Sequence, residues 1–333
     1  MEVFGDGKQK VTLKAFDQYY GSSPKIHEIH FNIYSEEKSL LQEKNAFNII
    51  AKAPNVLQSD KNSIQFQFYH YELPQYTGVF FNLDRPLFSK DKVRQALIKS
   101  IDKTELLKKL KDKIAVDTPL LELNQSDWIY KPNLDEAKGA LFDSGFKKYP
   151  DTPFRKDSSG NVLKLNLLAR TLDQASPNWQ ELNDVTTFLK KSWENVGIQI
   201  EVQLVDTATF AVRLQKRDYD MILTGQSLGY NLDTYSYWHS SQANSNGLNL
   251  SNYQSFAADQ LIQQIRENFD SSKKNQKLKE LANTLSKDIP AIFLYRPQYT
   301  FATDGKVKNI NLQNLAHPSD RFANVTQWCI QCQ

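Results

Sequence analysis

The side chains best suited to hold a ligand fall in two short stretches. Arg170 and Thr171 follow an apolar run that ends at Leu168 and Ala169, and Gln226, Ser227, Tyr230, Asn231, Asp233, Tyr235, Tyr237 and Trp238 crowd residues 226–241. A guanidinium just past the end of a strand can fork onto a carboxylate. Amides, hydroxyls and aromatic rings supply partners for backbone amides and room for varied side chains. This is the chemistry of gripping a polar solute, such as an extended peptide, without transforming it. The competing reading is a solvated polar loop in which Tyr235, Tyr237 and Trp238 form one packed face of a helix and Arg170 is an ordinary surface arginine.

Other chemistries find no footing. The chain has no HExxH, no phosphate-cradling glycine loop, no G-x-S-x-G elbow and no paired cysteine clusters, so we expect no enzyme activity, no cofactor and no metal. A Ser-His-Asp triad assembled from distant residues stays open, but nothing points to one. His27 and His30 face opposite sides of an expected strand and cannot chelate one ion together; His239 is read as a loop histidine. Cys329 and Cys332 are the only cysteines, and their C-x-x-C spacing is read as structural or incidental, with a small local disulfide one option. The balance of 41 basic and 38 acidic residues leaves a net charge of +3, which argues against a nucleic-acid partner. No apolar run approaches the ~20 residues needed to cross a bilayer. The opening residues 1–7 carry no leader or lipoprotein signal, so membrane association is expected only through an anchor absent from this chain.

The elements that must position the candidates are legible in the spacing. A length of 333 residues exceeds the size at which one hydrophobic core usually stops growing, so two lobes are expected. Residues 1 to about 75 read as β-rich, with strands at 11–13, 26–33 and 64–69. An apolar strand over 77–83 precedes a helix opening near Ser89, with Val93, Ala96, Leu97 and Ile101 on one face. Asp102 with Glu105, and Asn133 with Glu136, have capping-box spacing, and Gly145 supplies a left-handed stop. From Leu163 onward strands and helices alternate: a strand through Leu163, Leu165 and Leu167, a helix from Trp179 to Val196, a strand through Ile198 to Leu204, a short helix over 207–216 and a strand over 219–223. This β-α-β-α-β order predicts a parallel sheet, and ligands of such sheets lie beyond the carboxyl ends of the strands. Arg170 and the 226–241 loop sit at those ends. Two further helices and a strand over 291–295 follow.

Several segments together resemble the extracellular solute-binding proteins of family 5, the oligopeptide-, dipeptide- and nickel-binding receptors of ABC importers. They are Tyr19-Tyr20-Gly21 with Pro24-Lys25-Ile26-His27-Glu28-Ile29; Phe81-Asn82 with Pro86-Leu87-Phe88; Asp91-Lys92-Val93-Arg94-Gln95-Ala96-Leu97 running to Ile101-Asp102-Lys103; Asp135-Glu136-Ala137-Lys138 through Ser144-Gly145-Phe146; Trp193-Glu194-Asn195-Val196-Gly197-Ile198; and Arg217-Asp218-Tyr219-Asp220-Met221. They occur in the family's order. The resemblance implies an α/β, periplasmic-binding-protein-like (type II) two-lobed clamp with a mixed, largely parallel sheet in the second lobe and an incomplete first lobe. Residues 1–75 would form part of the first lobe, 76–296 the second, and 297–333 the return to the first. It implies a substrate-binding component of an ABC importer that closes on short peptides or a similar polar solute, acts as a monomer outside the cytoplasmic membrane or in the periplasm, and docks on permease subunits. A ligand-sensing domain of the same fold with a regulatory partner is the alternative. The expected ligand contacts are Arg170, Gln226, Ser227, Tyr230, Asn231, Asp233, Trp238 and, on the strand leading back to the first lobe, Tyr295. Where the family places an aspartate for a peptide's amino terminus this chain has Asn231, with Asp233 two residues on as a substitute.

Overall fold

The computed structural model describes residues 2–3, 8–54, 56–57, 66–174, 176, 178–330 and 332. The chain divides into two compact units, Met1–Leu73 with Pro297–Gln333, and Pro74–Arg296, so it passes twice from one to the other.

In the first unit β1 (Gln9–Lys14) and β2 (Glu28–Ile33) form an antiparallel ladder with Val11 opposite Phe31 and Leu13 opposite Ile29. A short helix, α1 (Glu37–Gln42), follows. The strand expected over 64–69 is β3 (Gln67–Glu72); Ile64 and Gln65 lie outside the described residues. Its partner is the later part of the last long strand, Gln298 opposite Glu72 through Thr303 opposite Gln67. Among the described residues the cores of this unit are small, one around Ile50, Leu57, Phe66 and Ala302 and one around Tyr71, Leu73 and Phe301. Phe322 reaches from Phe31 (ring centroids 5.4 Å apart) to Trp328 (5.7 Å), and Cys329 is joined to Cys332 in a disulfide.

The second unit contains β4 (Gln75–Phe81), α2 (Asp91–Lys99), α3 (Lys103–Lys109), α4 (Leu134–Asp143), β5 (Lys164–Arg170), α5 (Trp179–Glu194), β6 (Gln199–Val205), α6 (Thr207–Gln215), β7 (Met221–Ser227), α7 (Tyr235–Trp238), α8 (Phe256–Glu267), α9 (Ser271–Asp288) and the first part of β8 (Ala291–Thr303). Its strands lie in the order β6-β5-β7-β4-β8. β5 is parallel to both β6 and β7, and β4 is antiparallel to both β7 and β8. Capping side chains start the helices where spacing placed them: Asp102 accepts from the N–H groups of Thr104 and Glu105, and Asn133 from those of Asp135 and Glu136. The helix expected to open near Ser89 begins at Asp91 instead, because the Ser89 hydroxyl is spent on the Pro86 carbonyl and Lys90 occupies the cap. Gly145 and Gly197 end their helices at φ +92° and +93°, a conformation that favours glycine.

Period-two alternation gives the sheet two buried faces. Val79, Phe81, Leu165, Leu167, Ala169, Met221 and Leu223 pack under Val185, Leu189 and Trp193 of α5. Tyr76, Phe80, Leu168, Ile222 and Phe293 pack under Ile262 of α8 and Leu281 and Leu285 of α9. β8 is longer than the strand expected over 291–295. It pairs with β4 up to Tyr295 and with β3 from Gln298, so Pro297 stands between the two ladders, where a missing N–H costs no bond.

Candidate functional site

The three parallel strands end side by side. Arg170 is registered opposite Val205, and β7 runs on along β4, with Gln226 opposite Tyr76 and Ser227 opposite Gln75. The Thr171 N–H donates to the Val205 carbonyl at 2.7 Å, and the Leu228 N–H to the Pro74 carbonyl at 2.7 Å, which fixes how each chain leaves the sheet. Positive φ at Gly229 (66°) and Leu232 (52°) turns the chain back toward α7. Arg170 is exposed on this rim, on the face shared with Leu168 by alternation, and meets no hydrogen-bond or ion-pair partner among the described residues. Ser227, Tyr230 (63% exposed) and Asn231 are exposed there too.

The rest of the loop is held from behind by α8. Asp233 accepts from the Tyr235 N–H at 3.0 Å and faces Arg266 Nε at 3.2 Å. The Arg266 guanidinium lies 4.5 Å over the Tyr235 ring, which stacks on His239 with centroids 4.4 Å apart. Asp259 accepts from both the N–H and the hydroxyl of Ser240. Tyr237 donates to the Ser227 carbonyl at 2.6 Å, and its burial raises its pKa. Asp233, offered by sequence as a substitute anchor for a ligand amine, is therefore already charge-compensated by Arg266.

Trp238, expected among the ligand contacts, is placed by the structure in the second core with no exposed surface, packed against Phe293 (5.6 Å), Phe80 (6.1 Å) and Tyr253 (6.5 Å). Its ring supports the loop from below. Gln226 is buried beside it, where the Tyr76 hydroxyl donates to Gln226 Oε1. Burial drives the Tyr76 pKa well above its ordinary value.

Tyr295 lies on the other face. The register of β8 against β4 shifts between Phe293 and Tyr295, so Leu294 and Tyr295 both enter the first core although they are adjacent in sequence. The Tyr295 hydroxyl donates to Glu181 Oε1 at 2.8 Å, while Lys113 Nζ sits 2.8 Å from Glu181 Oε2 and 5.8 Å over the Tyr295 ring. Burial first, and then the Glu181 charge, raise the Tyr295 pKa.

The eight expected residues are thus not one cluster. Arg170, Ser227, Tyr230 and Asn231 share the exposed rim; Gln226 and Trp238 lie beneath it, Asp233 is tied to Arg266, and Tyr295 belongs to a Lys113–Glu181–Tyr295 group on the opposite face. Sequence reasoning missed Lys113, Glu181 and Arg266. Only Glu181 carried a signal, as an acidic residue in the first turn of the helix after β5. Among the described residues no group of three His, Cys, Asp or Glu side chains could hold a metal ion, and no helix is long and apolar enough to cross a membrane.

Comparison with known proteins assigns the chain. The model for bacterial extracellular solute-binding proteins, family 5 Middle, matches residues 5–248. The oligopeptide-binding protein AppA of Bacillus subtilis strain 168 is 21% identical over 333 aligned positions, covering 96% of this chain. Among solved structures, AppA from Bacillus subtilis in complex with a nonapeptide superposes with a TM-score of 0.70 at 19% identity over 99% of this chain. NikZ from Campylobacter jejuni in complex with Ni(L-His) gives 0.72 at 22% identity over 96% of the chain. DppA from Helicobacter pylori in complex with the peptide STSA gives 0.67 at 15% over 97%. The chain spans 59% of the curated AppA and 66%, 65% and 61% of these three structures. Its fold is that of the type II periplasmic binding proteins, as the motif order implied, and the match across residues 5–248 shows that the chain belongs to the bacterial extracellular solute-binding proteins of family 5.

Proposed function

We propose that this chain is the solute-binding component of an ABC importer, taking short peptides or a similar polar solute at the carboxyl-end loops of its α/β unit. It works on the outer side of the cytoplasmic membrane and delivers its cargo to permease subunits. The observation that carries this reading is the rim itself. Arg170 presents a guanidinium with no counter-charge among the described residues, beside the exposed Ser227, Tyr230 and Asn231. Such a group pairs with a carboxylate, and the neighbouring hydroxyls and amide suit backbone groups. Tethering the loop to α8 leaves it pre-organised, so less ordering entropy is lost when a solute binds.

The test is native mass spectrometry of the protein purified from its own cells, followed by titration with a mixture of short peptides. A co-purified peptide, or a peptide-dependent rise in melting temperature, is the expected result. Arg170→Ala should weaken that binding by about tenfold or more, the usual worth of a hydrogen bond to a charged group. No response to any solute, or full binding by Arg170→Ala, would overturn the assignment of the site.

A further inference from the structure

Cys329 and Cys332 are the only cysteines and are bonded to each other, and their surroundings are unequal. Cys329 is 4% exposed. It is held in a short ladder opposite Lys308 and follows Trp328, which is buried. Cys332 is exposed. The bond closes a loop with a sequence separation of only 3, so it removes little freedom from the unfolded chain and stabilises the fold less than a long-range bridge. Beside the buried sulfur, Asn309 Nδ2 donates to Cys329 Sγ at 3.4 Å. The same amide donates to the Gln327 carbonyl at 3.1 Å, and Asn324 donates to the Asn309 carbonyl at 2.6 Å, so the donor is fixed in place.

We propose that this disulfide is a thiol-exchange site with one open sulfur, at which a small-molecule thiol can attack. A thiolate attacks Sγ of Cys332, a new S–S bond forms there, and the Cys329–Cys332 bond breaks. The electron pair leaves on Cys329 Sγ, where the Asn309 N–H is already aimed to stabilise the thiolate before water protonates it. With no third cysteine in the chain, two fates follow. Cys329 can attack the mixed disulfide and restore the original bond, or a second small thiol can attack the mixed disulfide, giving two protein thiols and the oxidised disulfide of the reagent.

The test uses the full chain, folded, with reduced glutathione as the probe, followed by iodoacetamide quenching and peptide mass spectrometry. The expected result is glutathione on Cys332 and the alkyl group on Cys329, with the reverse pattern at least tenfold rarer. Asn309 sits at φ 65°, a conformation glycine adopts freely, so Asn309→Gly removes the amide without backbone strain and should slow exchange several-fold. An even split of adducts, or a native chain that stays unlabelled while the same chain in urea is labelled, overturns the site. An unchanged rate in Asn309→Gly overturns the role given to Asn309.

Discussion

Asn82, part of the Phe81-Asn82 pair that marks the family resemblance, shows what a single residue does in this fold. It is 2% exposed, and its amide nitrogen donates to the carbonyls of Arg217 (2.9 Å) and Tyr219 (3.1 Å), while its oxygen accepts from the Asp84 N–H (3.2 Å) and from Asn252 Nδ2 (3.2 Å). Arg217 and Asn252 are both held at positive φ, 52° and 50°, so Asn82 joins two strained turns at the end of the sheet away from the ligand rim. Asn82→Leu should destabilise the α/β unit by about 2 kcal/mol through orphaned carbonyls, read as a lower urea midpoint with an unchanged slope; a shift of less than a quarter of that would remove Asn82 from this role. The sequence carried the motif without its reason, since apart from Asp84 the partners lie more than a hundred positions away. Trp238 was misplaced for a related cause. α7 is four residues long, too short for periodicity to reveal which side chain turns inward.

At the scale of elements, helix starts were legible because capping is local chemistry. Asp206 illustrates its consequence. Its side chain accepts from the N–H groups of Ala208 and Thr209 and from the Thr209 hydroxyl, and those bonds hold its pKa below the ordinary aspartate value. The helix it caps, α6, has no fully buried residue and packs on the second core only through the partly buried Phe210 and Leu214, so loss of the cap should be felt in its stability. A carboxylate with a depressed folded pKa contributes fully above its unfolded pKa, about 4, and loses that contribution as pH falls through the folded value. Amide exchange in residues 207–215, corrected for intrinsic rates, should therefore show constant protection from pH 7 to about 5 and weaken below about 4. Asp206→Asn, which keeps an acceptor at the cap, should abolish the pH dependence, and Asp206→Ala should lower protection at neutral pH. Equal protection in wild type and Asp206→Ala would contradict this account. The long strand β8 was legible only as far as Tyr295, because Pro297 reads as a stop. Whether a proline ends a strand depends on where the pairing partner changes, and that is a tertiary fact. The bulge that sends Tyr295 toward Glu181 is equally invisible to alternation, a rule under which adjacent residues such as Leu294 and Tyr295 take opposite faces.

For the molecule as a whole, the order of motifs was enough to place the chain in its family and fold class, since a resemblance is read from residue types in sequence order and does not require knowing their tertiary partners. That Arg170 and the 226–241 loop lie at the same end of the sheet followed from the β-α-β order, but which side chains of the loop face outward was not legible, because burial of Gln226 and Trp238 and the pairing of Asp233 with Arg266 depend on contacts far apart in sequence. The distribution of cores has a thermodynamic consequence. The α/β unit, Pro74–Arg296, is one continuous segment with two large cores, one on each face of its sheet. The other unit is assembled from two segments separated by more than two hundred residues, and among the described residues its apolar clusters, around Leu57 and around Phe301, are small. Apolar burial supplies most of the stabilisation, and a unit closed through a long intervening segment also bears the loop-closure entropy of that segment if the latter unfolds. The smaller unit should therefore melt first and leave the α/β unit folded. Calorimetry should resolve two transitions, and hydrogen exchange should show residues 9–14, 28–33 and 67–72 opening before 164–170 and 221–227. A fragment comprising residues 74–296 should retain the upper transition within a few degrees, because both of its cores are complete without the flanking segments. A single transition for the full chain, or a fragment that does not fold, would mean that the two units form one cooperative system and that the α/β unit does not hold its rim in place unaided.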